Sequence, residues 1–248
     1  MIGLDELNEV KEKRKTNLYY EEKEYLQYVF LNAISKYPEN FIFKGGTCLR
    51  ICYGLERASE DLDFNTNLKI SKTKEIVKQC LKDFDLLNIK NGIFSEKELA
   101  GNLRVEARFE GPLFAGRKTS TNTIKIDFSN RKASTREVKV VQKLFSDVPL
   151  FTIIAMEEKE MAAEKIRALL TRKKPRDLYD VWILLNKGVI IDKQLLLDKL
   201  KEDKIDSKKL GFPSKEEYER DLKILLMVVP DYEKVLNYVN EKIKELTC

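Results

Sequence analysis

The chain has 248 residues, 43% hydrophobic and 35% charged, which is enough to bury a core in one large domain or two small ones and too apolar for disorder. Its 46 Lys and Arg against 41 Asp and Glu leave a net charge of +5, which suits an anionic partner but falls short of a dedicated nucleic-acid-binding arm. With no histidine in the chain, chemistry must run on carboxylates, Lys, Arg, hydroxyls or metal.

No apolar run approaches the roughly 20 residues that span a bilayer, and the opening MIGLDELNEVKEKRK lacks the apolar core of a signal peptide. The expectation is a cytoplasmic protein with no membrane partner. Residues 17–37 place Leu18, Tyr25, Val29, Ala33 and Tyr37 at helical spacing and stop at Pro38, predicting a helix. Phe41, Ile42 and Phe43 read as a short strand running into Lys44-Gly45-Gly46-Thr47, and residues 48–55 as the helix that follows. Two glycines allow positive φ and close backbone approach, while helix N–H groups and the Thr47 hydroxyl would favour phosphate oxygens. An ordinary turn between strand and helix has the same composition.

Asp61 and Asp63 alternate with Leu62 and Phe64, so a strand here carries both carboxylates on one side. Like charges so placed repel unless a cation intervenes, and magnesium suits an all-oxygen site; a strand edge with two solvated carboxylates has the same pattern. Thirteen residues separate Thr47 from Asp61, enough for one helix and a return to a neighbouring strand.

Residues 71–84 predict an amphipathic helix with Ser71 as N-cap, and 86–93, 103–109 and 123–128 predict strands. On the last of these Asp127 alternates with Ile126 and Phe128, which makes it either a third metal-binding acid or an exposed strand residue. Helical patterns then cover 155–172, 176–186, 193–202, 214–228 and 232–246, so a boundary is placed near Pro149, between residues 1–150 and a helical lobe at 151–248. Lys165 and Arg172 share a helix face that could grip phosphate, although a Lys165 pairing with Glu158 fits an ordinary amphipathic helix. Arg176 and Asp180 are spaced for an i, i+4 salt bridge, and Asp177 in the turn after Pro175 would complement the helix dipole. Arg131, Lys132, Lys139 and Lys143 offer cations to an RNA backbone or form a solvated face. Cys48, Cys52, Cys80 and Cys248 contain no C-x-x-C pair and read as buried or free thiols, not a zinc site.

The run from Phe43 through Lys-Gly-Gly-Thr-Cys-Leu to Arg50, and Arg57-Ala-Ser-Glu-Asp-Leu-Asp-Phe64, resemble the first two motifs of the AbiEii/AbiGii toxin family. Glu164-Lys165-Ile-Arg-Ala168 with Arg172, and Arg176-Asp177-Leu-Tyr-Asp180, resemble its third and fourth. These are MenT-like nucleotidyltransferases of type IV toxin–antitoxin and abortive-infection systems. The resemblance implies an α+β fold: a polymerase-β-like nucleotidyltransferase core at 1–150, with an N-terminal helix and a mixed sheet flanked by helices, then a helical lobe at 151–248 that completes the active site.

It also implies roles. Lys44, Gly45, Gly46, Thr47, Ser59, Arg172 and Arg176 would hold the NTP, with Thr47 standing where many nucleotidyltransferases carry Ser. Asp61 and Asp63 would bind magnesium or manganese, joined by Asp127 under the wider superfamily's three-acid logic. Lys165, Asp177 and Asp180 would join Asp61 and Asp63 as the catalytic set. The expected reaction transfers NMP from an NTP to an acceptor hydroxyl, on an RNA such as tRNA, releasing pyrophosphate. A cognate antitoxin would be encoded nearby. The alternatives are an NTP-binding sensor or interaction module without chemistry, and a nucleotidyltransferase that modifies protein.

Overall fold

A computed structural model of the chain describes residues 1–205 and 211–247, so Cys248 lies outside the described residues. Among these there are seven strands and nine α-helices, an α+β architecture, in two compact units. The first comprises residues 1–54 and 58–155; the second comprises Leu55–Arg57 and the chain from Met156 onward. No helix among the described residues is long and apolar enough to cross a membrane.

The first unit opens with helices α1 (Leu4–Arg14) and α2 (Leu18–Ile34). Helix α1 was not predicted, since it buries only Leu7 and Val10 and so carries little apolar periodicity. Asn17 starts α2 by accepting a hydrogen bond from the Tyr20 amide, an N-cap worth about 1 kcal/mol. Strand β1 (Phe41–Lys44), helix α3 (Gly45–Tyr53) and strand β2 (Asp61–Thr66) follow as the expected strand, turn, helix and strand.

Helix α4 (Ile70–Leu86) starts after Lys69, so Ser71 lies inside it and is not its cap. The helix runs through Leu86, and the chain turns at Asn88 with φ +55° before β3 (Asn91–Leu99) begins, later than the strand predicted at 86–93. Strands β4 (Asn102–Phe109) and β5 (Asn122–Ser129) match their prediction to within a residue. Strands β6 (Glu137–Val141) and β7 (Phe151–Ala155) were not predicted; the apolar end of β7 reads locally like the start of the next helix.

The strands form one mixed sheet in the order β3-β4-β5-β2-β1-β7-β6. Strand β2 runs antiparallel to β1 and parallel to β5, which sets Asp61 opposite Lys125 and Asp63 opposite Asp127. Below that polar row, Phe64 stacks on Phe128 with centroids 5.5 Å apart and touches Phe41 and Phe43 edge-on or tilted. Leu62, Phe64 and Ile126 are fully buried, so a one-residue slip of β2 would drive carboxylates into an aromatic core. Hydrophobic burial on one face therefore dictates which residues the other face displays.

The second unit is helical: α5 (Glu158–Arg172), α6 (Pro175–Asn186), α7 (Lys193–Glu202), α8 (Lys215–Leu222) and α9 (Tyr232–Thr247). Pro175 occupies the first turn of α6, and Ser214 and Glu217 form a reciprocal capping box at α8. The thiols of Cys48, Cys52 and Cys80 are free.

Candidate active site

The glycine turn and the acidic strand meet within the first unit. Gly45 opens α3 with φ +79°, and a Cβ there would stand 2.3 Å from Oδ2 of Asp63. Only glycine allows both this backbone conformation and so close an approach to the carboxylate. Lys44 is the cross-strand partner of Asp63. The fully buried Thr47 hydroxyl donates to the Asp61 carbonyl and lies 2.9 Å from the Ser59 hydroxyl, while Gln27 Nε2 donates to the Ser59 carbonyl at 3.2 Å. Thr47 thus fastens the first turn of α3 to β2. The first-turn N–H groups of α3 lack intrahelical acceptors, as at any helix start, and Lys44 supplies no side-chain cap, so their chemistry suits an anion.

Three carboxylates share the sheet face above the aromatic core. Asp127 stands beside Asp63 because β5 pairs in parallel with β2. Its carboxylate accepts a two-pronged contact from Arg104 on β4, from Nε at 2.7 Å and Nη2 at 2.9 Å. The Arg104 pKa is raised, first by the hydrogen bond to Asp127, and Asp61 and Asp63 act on it in the same direction. A guanidinium therefore already balances this row of acids. The donors are all carboxylate oxygen and attract a cation, which fits a hard divalent ion such as magnesium. Among the described residues no three such side chains converge tightly enough to hold an ion as they stand, and Asp127 is committed to Arg104.

Two cations at this site were not singled out from the sequence. Arg104 is one. Lys23 on α2 is the other: only 4% exposed, its ammonium donates to the Thr123 carbonyl at 2.6 Å. Burial lowers its pKa, and Glu60 and Asp61 oppose that shift. Neither has a local signal, because each reaches the acids through partners distant in sequence. Arg50 in the first motif donates to buried Glu24, which also receives Arg14, so α3 is tied to α2 and α1 by an ion-pair chain. Of the basic residues offered to RNA, Lys132 and Lys143 are exposed, and the Lys139 ammonium lies 4.1 Å from the Tyr53 ring centroid.

The remaining site candidates belong to the second unit and form a cluster of their own. Arg57 grips Asp180 with two hydrogen bonds of 2.6 Å, and Lys165 Nζ stands 2.7 Å from Oδ2, the oxygen that also accepts from Arg57 Nη2. Lys165 also lies 3.4 Å from Asp177, which accepts two bonds from Arg172 at 2.6 and 2.8 Å. Both aspartates are fully buried. Burial alone would raise the Asp180 pKa, but Arg57 and Lys165 hold it down at about 2; Asp177 is likewise lowered against burial by Arg172 and Lys165. Three cations against two carboxylates leave these five side chains with a positive balance, and the Arg172 side chain is 45% exposed. The local alternatives give way: Glu158 pairs with Lys187 and not with Lys165, and Asp180 binds Arg57 and Lys165 in place of Arg176, which is half-buried. Arg57 appeared in the sequence only as part of the second motif.

The sequence profile of the family described as "Nucleotidyl transferase AbiEii toxin, Type IV TA system" matches residues 29–237. No curated protein sequence matches the chain. Among solved structures, the fold is similar to that of MenT4, a nucleotidyltransferase toxin from Mycobacterium tuberculosis H37Rv, with a TM-score of 0.73 at 20% identity over 97% of this chain and 89% of that one. It is also similar to JHP933 from Helicobacter pylori, with a TM-score of 0.60 at 23% identity over 93% of each chain.

Proposed function

We propose, starting from the fact that this chain belongs to the nucleotidyl transferase AbiEii toxin family of type IV toxin–antitoxin systems, that it transfers NMP from an NTP to a hydroxyl of an RNA such as tRNA with the help of magnesium or manganese. The observation that carries this reading is the approach of Gly45 to Asp63: it presents the open N–H groups of α3 and the row of carboxylates to one space. Triphosphate oxygens are the ligand that needs both, through the amides directly and through a cation held by the acids.

The divalent ion would be held by Asp61 and Asp63, with Asp127 joining once Arg104 releases it, and when bound it supplies charge neutralisation and a lowered pKa for the attacking hydroxyl. The acceptor oxygen forms a bond to the α-phosphorus as the bond to the bridging oxygen breaks, and pyrophosphate leaves. The amides of Gly45, Gly46 and Thr47 bind the phosphates, with Lys44 beside them; Thr47 and Ser59 keep α3 pressed to β2. Arg104, freed from Asp127, provides positive charge to the same phosphates. Within the second unit, Asp177 and Asp180 hold Lys165 and Arg172 by binding them, and these two cations and Arg176 have the chemistry to bind phosphate. A reaction on NTP and tRNA would run in the cytoplasm, and the family implies a cognate antitoxin.

The test incubates the protein with total RNA, magnesium and each NTP in turn carrying an α-phosphate label. One discrete RNA species should become labelled, with one NTP strongly preferred. Label on protein alone would transfer the reading to protein modification, and NTP binding without any labelled product would reduce the chain to a nucleotide-binding module.

A further inference from the structure

The sheet face that carries the acids continues to an edge with no part in the reaction described above. On β4 Leu103, Val105, Ala107 and Phe109 are buried, so Arg104, Glu106 and Arg108 project from the opposite face. Arg104 is paired with Asp127 and Arg108 with Thr123, which puts Arg108 on the face of Asp61, Asp63 and Asp127. Next to it on β3, at the irregularity between Ile93 and Ser95, Phe94 is 60% exposed, and the Arg108 guanidinium carbon lies 4.0 Å from its ring centroid. Burying an aromatic ring is favourable, so an exposed ring under a guanidinium forgoes stability that a ligand could restore. Arg108 Nε is shielded from solvent and has no hydrogen-bond partner, so its burial is uncompensated.

These two residues line an open cavity of about 440 Å³ with Lys90, Lys118 and Thr121. Its volume falls in the range of ligand sites, roughly 300–1,000 Å³. Three of its lining side chains are cations and one, Glu110, is a carboxylate, 3.6 Å from Lys90. An aromatic ring and a guanidinium plane for stacking, flanked by lysines, is the chemistry that recognises an unpaired nucleotide of a single strand. A peptide added along edge strand β3 would use the backbone and would not need the excess of cations. Four residues along β4 and two strand spacings separate Arg108 from the Asp63 position, on the order of 16 Å in all. That is too far for the donor triphosphate's own base to be the occupant while its phosphates lie at α3.

We infer that Phe94 and Arg108 form a stacking platform for an unpaired nucleotide of the acceptor RNA, several nucleotides from the hydroxyl that reacts. This rests on the reading that RNA is the acceptor, and the platform's own test does not require turnover. The experiment measures fluorescence anisotropy of a labelled 12-nucleotide single-stranded RNA with the full chain, its Phe94→Ala, Phe94→Tyr and Arg108→Lys variants, and NTP binding to each. Phe94→Ala should weaken RNA binding about ten- to hundredfold, Arg108→Lys should weaken it despite keeping the charge, Phe94→Tyr should retain it, and NTP affinity should stay the same throughout. In transfer assays Phe94→Ala should raise KM for RNA and leave kcat within about twofold.

Unchanged RNA affinity in Phe94→Ala and Arg108→Lys overturns the platform, as does a wild-type chain that binds no RNA, or a protein partner lost in Phe94→Ala while RNA binding persists. If RNA affinity falls as described but no NTP yields labelled RNA, Phe94 and Arg108 stand as an RNA-binding platform while RNA falls as the acceptor, and with it the platform's part in the transfer. If RNA is labelled with an unaltered KM, the acceptor stands and the platform falls.

Discussion

Replacing Asp63 by asparagine should lower nucleotide transfer by about a thousandfold or more, equivalent to roughly 4 kcal/mol of transition-state stabilisation, while the unfolding midpoint stays the same or rises. Asparagine keeps the size of the side chain beside Gly45 and Asp127 but removes one charge from a row of three carboxylates. Like charges placed side by side repel, so removing one relieves the folded state even as it weakens the hold on a divalent ion. Asp61→Asn should behave in the same way. Single-turnover transfer rates, thermal unfolding and manganese affinity on the same preparations separate these effects. Activity within tenfold of the wild type in both variants would remove the acids from the reaction.

Replacing Asp180 by alanine should instead cost about 3–5 kcal/mol of stability, because it leaves the Arg57 guanidinium, 2% exposed, without its carboxylate. The same pair makes stability pH-dependent. Asp180 is held at about 2 in the folded chain, below the roughly 3.9 of an unfolded aspartate. A depressed carboxylate contributes stability that is fully present above the unfolded value and is lost as pH falls through the folded one. This group's share, roughly 2–3 kcal/mol, should therefore disappear between about pH 4 and pH 2, with Asp177 acting in the same direction. Urea unfolding across that range should show a shallower acid slope in Asp180→Ala than in the wild type. Equal slopes, or a loss of stability under 1 kcal/mol at neutral pH, would mean the cluster is not the structural unit its geometry describes.

The elements around the glycine turn were legible because each announces itself locally. Phe41 to Phe43 is a short apolar run, Gly45 and Gly46 punctuate it, and Asp61 to Phe64 alternates with the period of a strand. The position of Asp127 beside Asp63 was not legible. It depends on β2 and β5 becoming parallel neighbours after β3 and β4 have intervened, a matter of topology that no local pattern records. Arg104 escaped notice for the same reason, since only strand pairing delivers it to Asp127.

In the second unit the spacing rules proposed the wrong partners. Glu158 and Arg176 are near Lys165 and Asp180 in sequence, but the fully buried Asp180 carboxylate, which needs a cation to offset its desolvation, finds it in Arg57, 123 residues away, a pairing that no local spacing records. Strands β6 and β7 were missed because Glu137–Val141 carries charges among its apolar residues and Phe151–Ala155 is too short to be told from a helix start. The motifs marked the residues to examine, and long-range pairing decided how they are held.

The central claim, that this chain moves the α-phosphoryl group of an NTP together with its nucleoside, is tested most directly by supplying the preferred NTP in two labelled forms with RNA and magnesium. An α-phosphate label should appear on the RNA in a one-to-one ratio with pyrophosphate released, and a γ-phosphate label should appear only in that pyrophosphate. Transfer of the γ-label to the acceptor, or release of inorganic phosphate with the α-label still on free nucleotide, would contradict it.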